Sequence, residues 1–326
     1  MEEIFQHITD IINLPEFIME HCNFLPEYMK LAFIDCIKFI PLLFFLYFAI
    51  ELFERHFLKN IDFYTKIVQR FGAIFGIAIS IIPECGFSVI GSTFYSRKMI
   101  SRGTLLAFLI MCSDEAFPLL FMDFSKIKYI IPVLIIKAVV ALVIAYSFNL
   151  FAFIIHRGRN IYEKINSINT DINIPACCHH KMMTIEYAPY WYMHPFTHTV
   201  NIFVFGFITL TLIYGGIQTF GADNLANMLL INSPLQVILC AALGIVSNCV
   251  ISIVIALAFV KGLLSFPAFV AALISITGLG LYTLVKQNVS KNEISVITFI
   301  LFIIAAATGL VLYYIPAVTE IIGQII

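Results

Sequence analysis

Three carboxylates stand where an apolar chain rarely puts them. Glu84 lies in "IIPECGFSVIGS" (81–92), between Pro83 and Cys85; Asp114 and Glu115 lie in "MCSDEAFP" (111–118), after Cys112 and Ser113 and before Pro118. Both stretches interrupt hydrophobic segments. A charge at the centre of a bilayer costs from about 3 to more than about 10 kcal/mol depending on how it is measured, so an acid retained there is a functional candidate by default. Carboxylates and carbonyls suit hard cations such as Mn²⁺, whereas thiolates suit Zn²⁺, Cu⁺ or a thiophilic metalloid; Glu84 beside Cys85 leaves that choice open. Adjacent acids such as Asp114 and Glu115 can share one proton in a coupled titration, which suits exchange of a metal for protons. The competing reading is structural: Glu84 and Asp114 protonated or paired, pinning helices together. Lys137 in "VLIIKAVVAL" is then either the pairing partner or a side chain that snorkels to the nearer interface.

The elements that must hold these residues follow from composition. Of 326 residues, 61% are apolar and 12% charged, and the mean hydropathy is +0.97, whereas soluble domains are about a quarter charged. The chain reads as an all-α polytopic membrane protein. Segments matching the roughly 20 residues that cross a hydrocarbon core fall at 31–52, 71–96, 103–122, 127–155, 196–217, 234–260, 263–285 and 294–318. A net charge of −1 and the lack of a long basic run give no sign of nucleic-acid binding. The first 30 residues read as an amphipathic interfacial segment. Five of the eight cysteines, Cys36, Cys85, Cys112, Cys240 and Cys249, fall in apolar segments without a disulfide spacing and read as free thiols.

Sliding the sequence by 164 residues aligns these segments without a gap: 31–50 on 195–214, 71–96 on 235–260, 103–122 on 267–286 and 127–155 on 291–319. Identities are sparse (Cys85 with Cys249, Ser88 with Ser252, Ser101 with Ser265), but the register holds. The basic clusters at 55–70 (Arg55, Lys59, Lys66, Arg70), "RKMISR" (97–102) and "HRGRNIYEK" (156–164) can all be cytoplasmic only if 71–96 enters and leaves on one side. It would do so as a re-entrant hairpin or as two short helices turning near "PEC". Each half then crosses an odd number of times and the second is inverted. Lys126, Lys128 and Lys261 fit this less well, since they fall outside. The expected architecture is two inverted repeats of about five helices each, 31–155 and 195–319, with interrupted helices meeting near the midplane. A cytoplasmic loop at 156–194 joins them, and a tail follows at 320–326. Inverted repeats with broken helices are a transporter signature.

In this register Glu84, Cys85 and Ser88 face Asn248, Cys249 and Ser252, and Ser113, Asp114 and Glu115 face Thr277, Gly278 and Leu279. A site at the repeat interface would be anionic, with paired thiols and hydroxyls, and would favour a cation. Its ion-binding candidates are Glu84, Cys85, Ser88, Ser113, Asp114, Glu115, Asn248, Cys249, Ser252 and Thr277, with Asp114, Glu115 and Lys137 as proton-coupling candidates. The connecting loop holds Cys177, Cys178, His179 and His180 in "INIPACCHHKM", then His194 and His198 in "WYMHPFTH". That run lacks zinc-finger spacing. It reads either as a soft-metal relay or sensor, with His194 and His198 on one face of a helix start, or as a polar loop without such a role.

The run "IPECGFSVIGSTFYSRKMISRGTLLAFLIMCSDEAFPLL" resembles the signature of the ten-transmembrane heavy-metal exporter family, whose bacterial members are described as predicted manganese transporters or arsenic efflux proteins. The likeness extends over about 30–318. It implies ten spans in the bacterial cytoplasmic (inner) membrane and export of a metal. The family's second half usually carries Pro-Asn before its Cys; here "GIVSNCVIS" has Ser247 in the proline position, with Asn248 and Cys249 retained. The first expectation is therefore a proton-coupled exporter of a divalent heavy metal, since no GxxxxGK[ST] motif is present to power a pump. The second is a permease for an organic or oxyanionic solute bound at half-helix N-termini. An intramembrane enzyme using Asp114 and Glu115 is disfavoured, because neither a nucleophile motif nor HExxH accompanies them. No cofactor is expected beyond the transported ion. The expected partners are the bilayer, the ion or solute and a second copy in a homodimer.

Overall fold

In lipid every backbone N–H and C=O must be satisfied within the protein, which leaves an apolar chain the helix or the closed barrel. This chain takes the helix. The computed structural model describes residues 25–59, 72–82, 85–112, 116–120, 124–155, 193–221, 224, 229–231, 233–246 and 249–315, and no strand occurs among them. The helices are α1 (Glu27–Lys59), α2 (Ala73–Ile79), α3 (Cys85–Ser96), α4 (Arg102–Met111), α5 (Ala116–Leu120), α6 (Phe124–Ile127), α7 (Ile130–Ile155), α8 (Met193–Phe220), α9 (Pro234–Gly244), α10 (Cys249–Val260), α11 (Phe266–Ser275), α12 (Gly280–Lys286) and α13 (Lys291–Tyr314). Six helical segments are long and apolar enough to cross a membrane. This is an all-helical, multi-pass membrane protein.

Those six segments divide by burial. The most apolar stretch of Arg102–Leu120, which is α4 with α5, is 100% buried, and that of Phe266–Lys286, which is α11 with α12, is 83% buried; α1, α7, α8 and α13 bury only 22–28% of theirs. The two inner segments are the ones with interrupted helices. That follows from the solvent, because non-helical backbone at membrane depth survives only where protein encloses it. The outer helices show the reverse on their surfaces. On α7, Ile131, Ile135, Val139 and Val143 are exposed while Val133, Lys137, Ala141 and Ala145 are fully buried, two stripes of i, i+4 periodicity on opposite sides of one helix.

The packing joins α1 to α8, α4 to α7, α11 to α13, and α4 to α11 at the centre; α3 packs on α12, and α10 on α5. Small residues permit the close approaches. A Cβ on Gly76 of α2 would lie 2.5 Å from the Phe108 ring, and one on Gly91 of α3 2.8 Å from it, so the Phe108 ring of α4 fills a seat that only glycine leaves open. The elements recur at a fixed offset: Cys85 and Cys249, Ser96 and Val260, Arg102 and Phe266, Met111 and Ser275, and Ala116 and Gly280 bound equivalent helices, each pair 164 residues apart. Even the C-caps correspond. Lys98 (φ 59) and Gly262 (φ 76) are left-handed, and behind them Met99 N donates to Phe94 O at 2.9 Å and Leu263 N to Ala258 O at 2.8 Å, the six-to-one bond of a Schellman cap.

Several expected boundaries differ. Helix α1 begins at Glu27 and runs to Lys59, so it takes in the end of the expected N-terminal segment and the start of the first basic cluster. Helix α8 begins at Met193, so the last residues of the expected loop are already helical. Residues 1–24, 156–192 and 316–326, with Cys177, Cys178, His179 and His180, lie outside the described residues.

Candidate functional site

Helices α2, α4, α9 and α11 each stop short of the helix that follows, and local sequence chemistry sets the ends of α4 and α11. Ser101 caps α4: its Oγ accepts from Thr104 N at 3.1 Å and donates to Asn149 Oδ1 of α7 at 2.6 Å. The helix ends at Cys112, whose ψ of 132° leaves the helical region. Helix α11 ends likewise at Ile276, with ψ 116°, and Gly278 (φ 53) turns the chain into α12. Between α2 and α3 the described chain leaves the helix at Ser80–Ile82, and between α9 and α10 at Ile245–Val246.

Lys137 occupies the centre. It is 0% exposed, and its ammonium donates to Cys112 O at 2.7 Å and to Leu273 O at 3.0 Å. The first carbonyl terminates α4. The second belongs to the last turn of α11, where carbonyls lack intrahelical donors. Two helix C-termini therefore present their negative ends to one cation, and the Phe117 ring of α5 lies 5.9 Å from the same nitrogen, within cation–π range.

Beside this clamp, α12 crosses α3. A Cβ on Gly280 would lie 2.5 Å from Leu109 Cδ2 and 3.2 Å from both Ser88 Cβ and Ser92 Oγ. Ser80, Ser88, Ser92, Ser252, Ser275 and Thr277 are all buried. The hydroxyls of Ser80 and Ser92 find no hydrogen-bond partner among the described residues.

Two polar clusters flank the centre. At one, Arg102 donates to Glu293 Oε1 through Nε at 3.1 Å and through its terminal nitrogen at 2.9 Å, and Tyr95 donates its hydroxyl to the same carboxylate. At the other, Lys261 donates to Asp35 Oδ2 at 2.7 Å and to the Tyr214 hydroxyl, which itself donates to Asp35. Burial disfavours the Lys261 ammonium, but Asp35 and Tyr214 more than offset it and hold its pKa above the ordinary lysine value. Near that end Lys126 lies 5.2 Å over the Phe259 ring.

Of the residues singled out by sequence, Lys137, Ser88, Ser252 and Thr277 are buried on α7, α3, α10 and in the α11–α12 break. Cys85 and Cys249 begin α3 and α10, and His194 and His198 lie in the first turns of α8. Glu84, Ser113, Asp114, Glu115 and Asn248 lie outside the described residues. Lys137 stays in the interior, with no exposed surface. Among the described residues no three His, Cys, Asp or Glu side chains gather as a metal site. Cys36, Cys112 and Cys240 are buried, and none forms a disulfide.

Several residues went unread in the sequence. Asp35 and Glu51 are acids within the 31–52 segment, and Glu51 is 2% exposed. Ser92 is four residues from Ser88 and so shares its helix face, a signal that was present. Gly280 had none.

The site and fold define a multi-pass α-helical membrane protein whose core is built from paired interrupted helices enclosed by continuous ones. No protein-family model, curated protein or solved structure matches the chain.

Proposed function

We propose that this chain is a secondary transporter that exports a divalent heavy metal, manganese or similar, across the bacterial cytoplasmic membrane in exchange for protons. The observation that carries transport is the enclosure of interrupted helices: the two inner segments, α4–α5 and α11–α12, break at equivalent positions and are shielded from lipid by continuous helices. Broken helices of this kind supply free backbone groups to a solute near the midplane. The likeness of the quoted motifs to the heavy-metal exporters, together with the three acids Glu84, Asp114 and Glu115 in the apolar sequence, points to a cation as the solute.

Inversion of the second half is supported by which ends meet. Arg102, at the start of α4, pairs with Glu293, a few residues past the end of α12. At the far end Lys126, beyond α5, lies over Phe259, just before the start of α11. Segments joined start to finish at both ends run antiparallel. Each ion pair joins one half to the other, so Arg102–Glu293 and Asp35–Lys261 act as latches that open alternately as the halves rock.

The test is metal flux and proton movement in proteoliposomes. Asp114→Asn and Glu115→Gln abolish metal-dependent proton flux if the acids couple the two; intact flux in both variants removes them from the coupling site. A metal-by-metal sensitivity profile of a deletion strain names the ion. A second reading, a permease for an organic or oxyanionic solute such as an arsenical, is favoured by one observation: the buried ammonium of Lys137 at the centre. Substrate binding that ignores metals would select it.

A further inference from the structure

Lys137 is an ammonium ion on a stem. It lies on the buried stripe Val133, Lys137, Ala141, Ala145, and its nitrogen is held by the Cys112 and Leu273 carbonyls, one from each half of the chain. At the position 164 residues on stands Leu301, buried on α13, so the two halves share one cation. A lysine near a membrane interface sends its head to water; this one, fully enclosed, turns inward to main-chain oxygens. Unwound carbonyls and half-helix C-termini are the groups that coordinate sodium ions or protons in transporters with broken helices. An ammonium group is close in size to a potassium ion and carries the same charge.

We propose that the Lys137 ammonium is a tethered occupant of a monovalent-cation position between α4 and α11, so that the core carries its own cation and works without sodium or potassium. The inference rests on the transporter reading for its meaning but not for its test. The stem fixes the charge in place, whereas a soluble cation would have to be recruited and released in each cycle. The clamp also ties the end of α4 to the end of α11, so the same cation joins the two halves across their central contact.

Removing the side chain tests this directly. In Lys137→Ala the carbonyls of Cys112 and Leu273 lose the Lys137 ammonium and a space the length of the lysine stem opens. A free cation should then bind there. Full-length protein in detergent is melted across a concentration series of ammonium, potassium and sodium chloride, with choline chloride holding ionic strength constant. Wild type should be indifferent to the exchange. Lys137→Ala should start lower and rise saturably, by about 2 °C or more, with at least one small cation, because a ligand of the native state stabilises by mass action. If Lys137→Ala does not survive extraction, Lys137→Ser is read by the same titration, since a helical serine satisfies itself on its own preceding turn. Equal responses of variant and wild type, or no response in either variant, overturn the proposal. In proteoliposomes, metal flux by Lys137→Ala should require the small cation while wild-type flux runs in choline. Absence of any wild-type metal flux would defeat the transporter reading and leave the melting titration to decide the cation position alone.

Discussion

Gly280 offers a quantitative test of the central crossing. Carbon atoms in contact sit about 3.5–4.0 Å apart, so a Cβ 2.5 Å from Leu109 Cδ2 is short by about 1 Å. Leu109 is 0% exposed and has no open space to enter. Behind it lie Ser88 Cβ, fixed to the backbone of α3, and Ser92 Oγ, each 3.2 Å from the same point. The overlap is relieved by moving α12, a half-helix that starts at the break, so Thr277–Leu279 shift with it. Overpacking of this size costs about 1–3 kcal/mol. Gly309→Ala is the control: its Cβ would meet Val237 Cγ1 at 2.5 Å, Ala271 Cβ at 2.7 Å and Pro267 O at 3.0 Å, on α13 and away from the breaks. There the roughly 1 kcal/mol gained from replacing a mid-helix glycine is outweighed, because a methyl carbon and a carbonyl cannot rotate aside. Thermal unfolding in detergent should show both variants destabilised. Flux per folded molecule in proteoliposomes should fall at least tenfold only in Gly280→Ala, since about 1.4 kcal/mol of misplacement is a factor of ten. Equal flux in the two variants, or unchanged melting of Gly309→Ala, would refute the packing argument.

Gln236→Leu should cost about 3–5 kcal/mol in the same melting assay, because the amide donates to Leu229 O and Leu263 O and accepts from Ser265 N and Oγ, and each buried group left unpaired costs about 1–3 kcal/mol, reduced where water reaches the turn. Ser101→Ala removes the cap of α4 and the donor to Asn149, and is expected to lower stability by about 1–2 kcal/mol. Arg102→Gln should change melting by no more than about 1 kcal/mol, since the guanidinium side chain is 63% exposed and exposed pairs are screened. For Lys261 the raised pKa means that its contribution is complete below the unfolded lysine value of about 10.4 and is lost only as pH rises through the still higher folded value. The difference in melting between wild type and Lys261→Met should accordingly stay constant from about pH 6 to 9; a difference that shrinks across that window would remove Lys261 from the latch.

Much of the architecture was legible because the solvent imposes it. A bilayer fixes helix length, rejects charge and forbids open backbone, so an all-helical, multi-pass chain could be read from residue types, and six of the eight expected segments fall on helices long and apolar enough to cross. Within 71–96 the described residues form two helices, α2 and α3. The faces of the helices could not be read the same way. From Ile130 to Ala145 helix α7 is apolar all round but for Lys137, and an apolar helix carries no pattern that separates its protein side from its lipid side. Packing against α2 and α4 alone decided that Val133, Lys137, Ala141 and Ala145 point inward.

Distance along the chain hid the rest. Lys137 meets a carbonyl 136 residues away, Asp35 meets Lys261 across 226 residues, and Gly280 is small because α3 of the other half passes over it. Composition and periodicity record what each segment needs from its solvent. Which carbonyls hold a buried cation, and which glycine a neighbouring helix demands, are settled only when the two halves close on each other, because those requirements belong to pairs of segments rather than to either one.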